Sequence, residues 1–151
     1  MHVTAKADYA LRAVVELVLR DGAMVTRERL ASEQQIPTKF LESILAQLTK
    51  SGILTAKRGA RGGYVLGRDA DSITVADVIR AVDGPLAGVR GERPEDVQYP
   101  ESSVALREVW VAARASLRAV LENTTLADVA AGSLPSPVLA LLEDPGAWAR
   151  R

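Results

Sequence analysis

The sequence contains no cysteine. That absence removes disulfides, thiolate-held zinc, cysteine nucleophiles and conventional iron–sulfur ligation together. His2 is the single histidine, so neither a histidine-based catalytic triad nor an H-E-x-x-H metal site can be assembled. No apolar run approaches the roughly 18 residues of a membrane-crossing helix. The densest run, Ala13 to Leu19, is interrupted by Glu16. The opening MHVTAKADYA has no apolar stretch of the signal-peptide kind. No nucleophile–base pair is evident, and Glu95-Asp96 reads as solvated loop charge. These features predict a soluble, cytoplasmic protein that is not an enzyme, binds no metal or cofactor and does not enter membranes.

What is present suits one compact domain, or a small domain with an appended helix: 151 residues, 48% apolar and 25% charged. Lys+Arg and Asp+Glu are both 19, but this balance hides two opposite halves. Residues 1–68 hold 11 basic and 6 acidic side chains, and residues 69–151 hold 8 basic and 13 acidic. From Ser43 to Arg68 the charges are Lys50, Lys57, Arg58, Arg61 and Arg68, with no acid among them. Such a run fits a solvated face. It also fits a polyanion surface, because clustered cations gain affinity by releasing counterions from phosphates. Local structure has to decide between them.

Thr4 is a candidate N-cap for a first helix, whose apolar residues Tyr9, Leu11, Val14, Val15, Leu17 and Val18 run up to the stop signal Asp21-Gly22. Thr26 opens a short second helix that buries Leu30 and Ala31, and Gln34-Gln35-Ile36 follows as a turn. Pro37 suits the first position of a third helix, where its missing N–H costs nothing. That helix gathers Phe40, Leu41, Ile44, Leu45 and Leu48 on one face and leaves Lys39, Glu42, Ser43, Ala46 and Lys50 largely on the other, before Ser51-Gly52 ends it. Two extended pieces, Ile53 to Lys57 and Tyr64 to Leu66, flank the glycine-rich turn Arg58-Gly59-Ala60-Arg61-Gly62-Gly63. Thr74 to Asp77 reads as a capping box for a fourth helix ending at Asp83-Gly84-Pro85. Residues 85–103 show little periodicity and read as a long loop, a feature often functional in a small domain. A long helix from Val104 to about Asn123 carries Leu106, Val109, Trp110, Ala113, Leu117, Val120 and Leu121 at three- and four-residue steps. Thr125 to Asp128 caps a short helix ending at Gly132, and one weak turn over Val138 to Leu142 is expected in the tail.

Three helices followed by a hairpin describe a mainly α fold: a winged helix-turn-helix with a two-stranded β wing and a long C-terminal dimerisation helix. In that geometry the third helix lies in the DNA major groove, and Arg58 and Arg61 at the hairpin tip reach phosphate or the minor groove. Gly62 and Gly63 let the backbone approach the sugar–phosphate strand closely. Trp110, with Val109, Ala113, Leu117, Val120 and Leu121, marks a dimer seam or the packing of domain on helix, and a ligand-stacking Trp is the alternative.

The same residues resemble a known family. Thr4 with Tyr9-Ala10-Leu11-Arg12, Ile36-Pro37 with Phe40-Leu41, Leu48 to Gly52, the wing Arg58 to Tyr64, Ile73 to Gly84, the Trp110 helix and Thr125 to Asp128 are similar in order to the Rrf2 family of bacterial transcription regulators. The resemblance covers roughly residues 1–132. It implies a homodimer, most often a repressor, acting on an imperfect palindrome of double-stranded DNA. By it, Lys39, Glu42 and Ser43 are base readers and Arg58 is the wing arginine; the alternative for Glu42 is pairing with Lys39. Thr38, Lys50 and Lys57 are read as phosphate contacts, with Arg27 and Arg29 as secondary candidates.

Many members of that family sense through a cluster held by three cysteines in the loop corresponding here to about Pro85 to Val104. This chain has none there, so the resemblance implies a cluster-less member. Asp8, near a further ligand position of some members, reads as a first-turn acid favoured by the helix dipole. Three routes remain for the signal: a small-molecule effector at the loop, with Arg90, Arg93 and Tyr99 as candidates; a protein partner; or constitutive binding. The expected organisation is 1–84 winged helix-turn-helix, 85–103 sensor-like loop, 104–132 dimerisation helix with the short helix after it, and 133–151 tail. A winged-helix protein-interaction scaffold is the competing function.

Overall fold

The computed structural model describes residues 2–59 and 62–149. Its elements run α1 (Ala5–Leu19), α2 (Arg27–Gln34), α3 (Thr38–Lys50), β1 (Leu54–Lys57), β2 (Gly63–Leu66), α4 (Val75–Asp83), α5 (Leu106–Leu121), α6 (Leu126–Ala131) and α7 (Ser136–Leu142). Among the described residues, no helix is long and apolar enough to cross a membrane.

Local chemistry sets most helix boundaries. Thr4, Thr26, Thr74 and Thr125 each accept a backbone N–H from the third residue onward, and Thr74/Asp77 and Thr125/Asp128 close full capping boxes. Pro37 sits one position earlier than its sequence suggests. It is the N-cap of α3, and its carbonyl accepts from the Phe40 and Leu41 N–H groups. α2 ends at Gln35 in the left-handed conformation (φ 53°), which lets the Ile36 N–H return to the Ala31 carbonyl at 2.9 Å.

α1 is the hub of the core. Ala7, Ala10 and Ala13 are at most 1% exposed, and α2, α3, α4 and α6 all pack against this helix. Leu41, Ile44, Leu45 and Leu48 of α3 are fully buried, joined by Leu30, Ile53, Ile73, Val78 and Leu126. Phe40 departs from the expected apolar face of α3. It lies in the first turn at the margin of the core, 42% exposed, with its ring edge-on to Tyr9 at 5.7 Å.

The long helix connects back to this core at its C-terminal end. The Val75 N–H donates to the Thr124 carbonyl (2.9 Å) and the Leu126 N–H to the Ile73 carbonyl (2.8 Å), so the caps of α4 and α6 pair antiparallel. α6 then inserts Leu126 beside α1. Residues 85–103 have more order than their aperiodic sequence suggests. Val89 and Glu92 bridge each other through Arg90-Gly91, both at positive φ, as a tight hairpin turn requires. Leu86 and Val97 of the loop are buried, and Glu101–Ser103 form a 3-10 turn. The tail holds two helical turns over Ser136–Leu142 where a single weak one was expected, followed by a 3-10 turn at Pro145–Ala147.

Two substitutions test the α1 hub. Ala10→Leu overpacks the alanine face and is expected to cost about 1–3 kcal/mol or more. Leu126→Ala empties the α6 anchor at about 2–5 kcal/mol. Urea unfolding monitored by circular dichroism reads both, and an unchanged midpoint in either would contradict the packing described.

Candidate nucleic-acid interface

α3 divides cleanly because its buried leucines and isoleucine face α1, so the opposite row faces solvent. Thr38, Lys39, Glu42, Ser43 and Lys50 are all exposed on that row. The Ser43 hydroxyl donates to the Phe40 carbonyl at 3.0 Å, which fixes its oxygen on the outer face. Glu42 is paired, but its partner is Arg27 at the start of α2, 3.0 Å away, and not Lys39 one turn earlier. Arg27 also holds Glu28 at 2.8 Å. The hydrogen bond that Arg27 donates to Glu28 and the nearby carboxylates of Glu28 and Glu42 raise the Arg27 guanidinium above its ordinary value, so it stays cationic.

The wing stands beside this face. β1 and β2 are antiparallel, with Leu54 opposite Leu66 and Lys57 opposite Gly63. A third segment joins them: the Val25 N–H donates to the Tyr64 carbonyl (3.1 Å) and the Tyr64 N–H to the Val25 carbonyl (2.9 Å). That contact explains Gly63, and the tightness of the wing turn explains Gly62. A Cβ on Gly63 would come within 2.7 Å of the Val25 carbonyl oxygen, and one on Gly62 would collide with the Lys57 carbonyl. Between the wing, the start of α2 and the second half of α3 lies a cleft of about 450 Å³, lined in part by Thr26, Arg27, Thr49, Lys57, Arg58 and Gly62.

Lys57, Arg58, Gly62 and Gly63 therefore line one cleft, and Thr38, Lys39, Glu42, Ser43 and Lys50 occupy the adjoining helix face. Arg61 lies outside the described residues. Among the described residues, Lys39, Lys50, Lys57 and Arg58 form no ion pair, whereas Arg12, Arg20, Arg27, Arg29, Arg68, Arg80, Arg114 and Arg118 all do. Of the secondary candidates, Arg27 lines the cleft, while Arg29 is held by Glu33 at 2.8 Å. Thr26 and Thr49 are cleft residues that sequence reasoning missed; the helix-capping role of Thr26 was the available signal.

The long-helix residues gather separately. None of α5 is buried, and Val109 and Trp110 are 54% and 40% exposed. Trp110, Ala113, Leu117, Val120 and Leu121 line an apolar cleft of about 790 Å³ with the 87–89 turn and Leu141 of α7. Val109 lies outside that lining. The three loop candidates separate: the Arg90 guanidinium lies over the Tyr99 ring at 5.8 Å, while Arg93 lines a different, arginine-rich cleft.

A family model described as "Rrf2: Iron-dependent Transcriptional regulator" matches residues 3–132. Rv1287 of Mycobacterium tuberculosis, which bears an HTH-type transcriptional regulator name, is 47% identical over 145 residues, covering 95% of this chain and 90% of its own. The HTH-type transcriptional regulator CymR of Bacillus subtilis is 34% identical over 131 residues, covering 86% and 90%. The solved structure of CymR, the global cysteine regulator of B. subtilis, superposes with a TM-score of 0.73 at 32% identity, over 87% of this chain and 97% of that one. The iron of the family description finds no matching donor set. The chain has no cysteine, and among the described residues no three His, Asp or Glu side chains converge as metal ligands. Asp8 is instead paired with Arg12 at 3.4 Å.

Gly63→Ala is expected to push β2 off Val25, at a cost of about 1–3 kcal/mol. Faster hydrogen exchange at the Val25 and Tyr64 amides would register it; unchanged protection there would refute the close approach.

Proposed function

The chain belongs to the Rrf2 family of winged-helix, DNA-binding transcription regulators, which are not enzymes, and from that premise we propose that it acts as a homodimeric repressor on a palindromic operator without an iron–sulfur cluster. The observation that carries the DNA-contact assignment is the contrast in pairing. Lys39, Lys50, Lys57 and Arg58 have no carboxylate partner among the described residues, while Arg12, Arg20 and Arg29 of the adjoining α1–α2 region are each held by one. Unmatched cations on one face are what a phosphate backbone neutralises with counterion release.

Residues 1–84 form the reading head. α3 enters the major groove, where Lys39, Glu42 and Ser43 face base edges and Thr38, Lys50 and Lys57 meet phosphates. Glu42 accepts from cytosine N4, and Arg27 keeps its charge from repelling the duplex. Arg58 reaches phosphate or the minor groove from the wing, a contact the sequence motif extends to Arg61, and Gly62 and Gly63 bring the wing backbone close to the strand. Residues 104–132 supply the dimer contact. A second copy covers the apolar stripe of Val109, Trp110, Ala113, Leu117, Val120 and Leu121, and a two-fold axis then sets the two α3 helices about one DNA turn, 34 Å, apart. Residues 85–103 form the loop at which a signal would act, and 133–151 the tail. Such a protein works in the cytoplasm, where the chromosome is.

Fluorescence anisotropy with the DNA upstream of its own gene, across a salt series, tests the DNA contacts. Lys57→Ala with Arg58→Ala is expected to weaken binding and to lower the slope of log affinity against log salt by about 1–2. Binding indifferent to both substitutions would overturn the assignment and favour a protein-interaction scaffold. Leu117→Asp is expected to convert a dimer to a monomer in sedimentation velocity; a wild-type monomer at micromolar concentration would overturn the dimer.

A further inference from the structure

A second cleft, of about 470 Å³, lies where α4, the 84–95 segment and α5 meet. It shares no lining residue with the cleft beside the wing. Its wall holds four guanidiniums and one carboxylate: Arg80 from α4, Arg93 and Glu95 from the loop, and Arg114 and Arg118 from α5. Arg114 and Arg118 are one helical turn apart and so share a face. The volume falls in the range of small-molecule sites, about 300–1,000 Å³.

The cations are built into the fold. Arg114 holds Glu95 at 2.7 Å, and Arg80 and Arg118 both grip Glu122, Arg118 at 2.9 Å. Arg93 forms no ion pair among the described residues. Even counting Glu122 with Glu95, the four arginines leave a surplus of two positive charges. Each guanidinium also carries five N–H donors in a planar fork, more than these carboxylates occupy. The hydrogen bonds and charges of these arginines hold both Glu95 and Glu122 below the ordinary glutamate range, which registers the local positive field.

We propose that this cleft is a binding site for a small polyanion, a metabolite bearing phosphate or two or more carboxylates. A surplus of two charges selects the class. A monovalent anion leaves one guanidinium charge unmatched, whereas a di- or trianion can be forked by Arg93 and Arg118 while Arg114 and Arg80 flank it. The ligand would join α4 of the reading head to α5 across a single site. The proposal goes beyond the DNA-contact reading and is measured without DNA, so failure of one leaves the other standing.

The test uses the full chain, with citrate and inorganic phosphate as probes and sodium chloride at matched ionic strength as control. Isothermal titration calorimetry and thermal unfolding are both read. At least one probe is expected to bind and raise the unfolding midpoint above the chloride control. Arg93→Gln, on the exposed loop, and Arg93→Gln with Arg118→Gln are expected to weaken binding about tenfold or more. Arg80 keeps Glu122 paired in the double variant, and circular dichroism checks that both variants fold. Lys57→Ala with Arg58→Ala is expected to leave probe affinity unchanged. The proposal is overturned if neither probe exceeds chloride, if affinity survives both Arg93 variants, or if the wing variant abolishes binding instead.

Discussion

Ala7, Ala10 and Ala13 give α1 a face with almost no side-chain bulk, and the other core helices close on it. Methyl groups on that face let α2, α3, α4 and α6 all reach one central helix. Larger side chains would force them apart, since interiors are close-packed and tolerate little added volume. The orientation of α3 follows from this. Its buried Leu41, Ile44, Leu45 and Leu48 must face α1, which turns Lys39, Glu42 and Ser43 outward. The wing inherits its position from α3 through Ile53 and Leu54, both buried, and from the Val25 strand contact.

Charge is organised around the same frame. Arg12 stacks on Tyr9 and caps the end of α2 through the Gln34 carbonyl, while Glu16, Arg20 and Glu33 link α1 to α2. Exposed pairs of this kind contribute little stability individually. Their larger effect is to neutralise the α1–α2 region, while Lys39, Lys50, Lys57 and Arg58 on α3 and the wing form no ion pair among the described residues. A protein of zero net charge can thus present a cationic surface to a polyanion, because field depends on distribution and not on the sum.

α5 is left largely unsatisfied within one chain. It is tethered at its C-terminal end by the paired caps of α4 and α6 and by Glu122, yet none of its residues is buried. An amphipathic helix held firmly at one end, with its apolar stripe open, is the feature on which the proposed dimer rests. The 85–103 loop crosses near that stripe, since its 87–89 turn lines the apolar cleft while Arg93 and Glu95 line the arginine cleft. The 85–103 loop, α5 and, through Arg80, α4 therefore meet around these two clefts.

The helix–helix–helix–hairpin order, the threonine caps, the glycine-rich wing and the amphipathic long helix were legible in the sequence because they are local: periodicity, capping and turn chemistry act over a few residues. The cation run of α3 and the wing was legible for the same reason. The absence of cysteine excluded thiolate ligation from the sequence alone. Long-range closure decided the rest. Only folding brings Arg27 to Glu42, leaves Phe40 beside Tyr9 at the edge of the core, docks Leu126 against α1 and gathers Arg80, Arg93, Arg114 and Arg118 around one cleft. Those arginines span 38 positions between the first and last and sit on three different segments. No local pattern encodes their meeting, because it depends on how α4 and α5 are held relative to each other and not on what either helix is by itself.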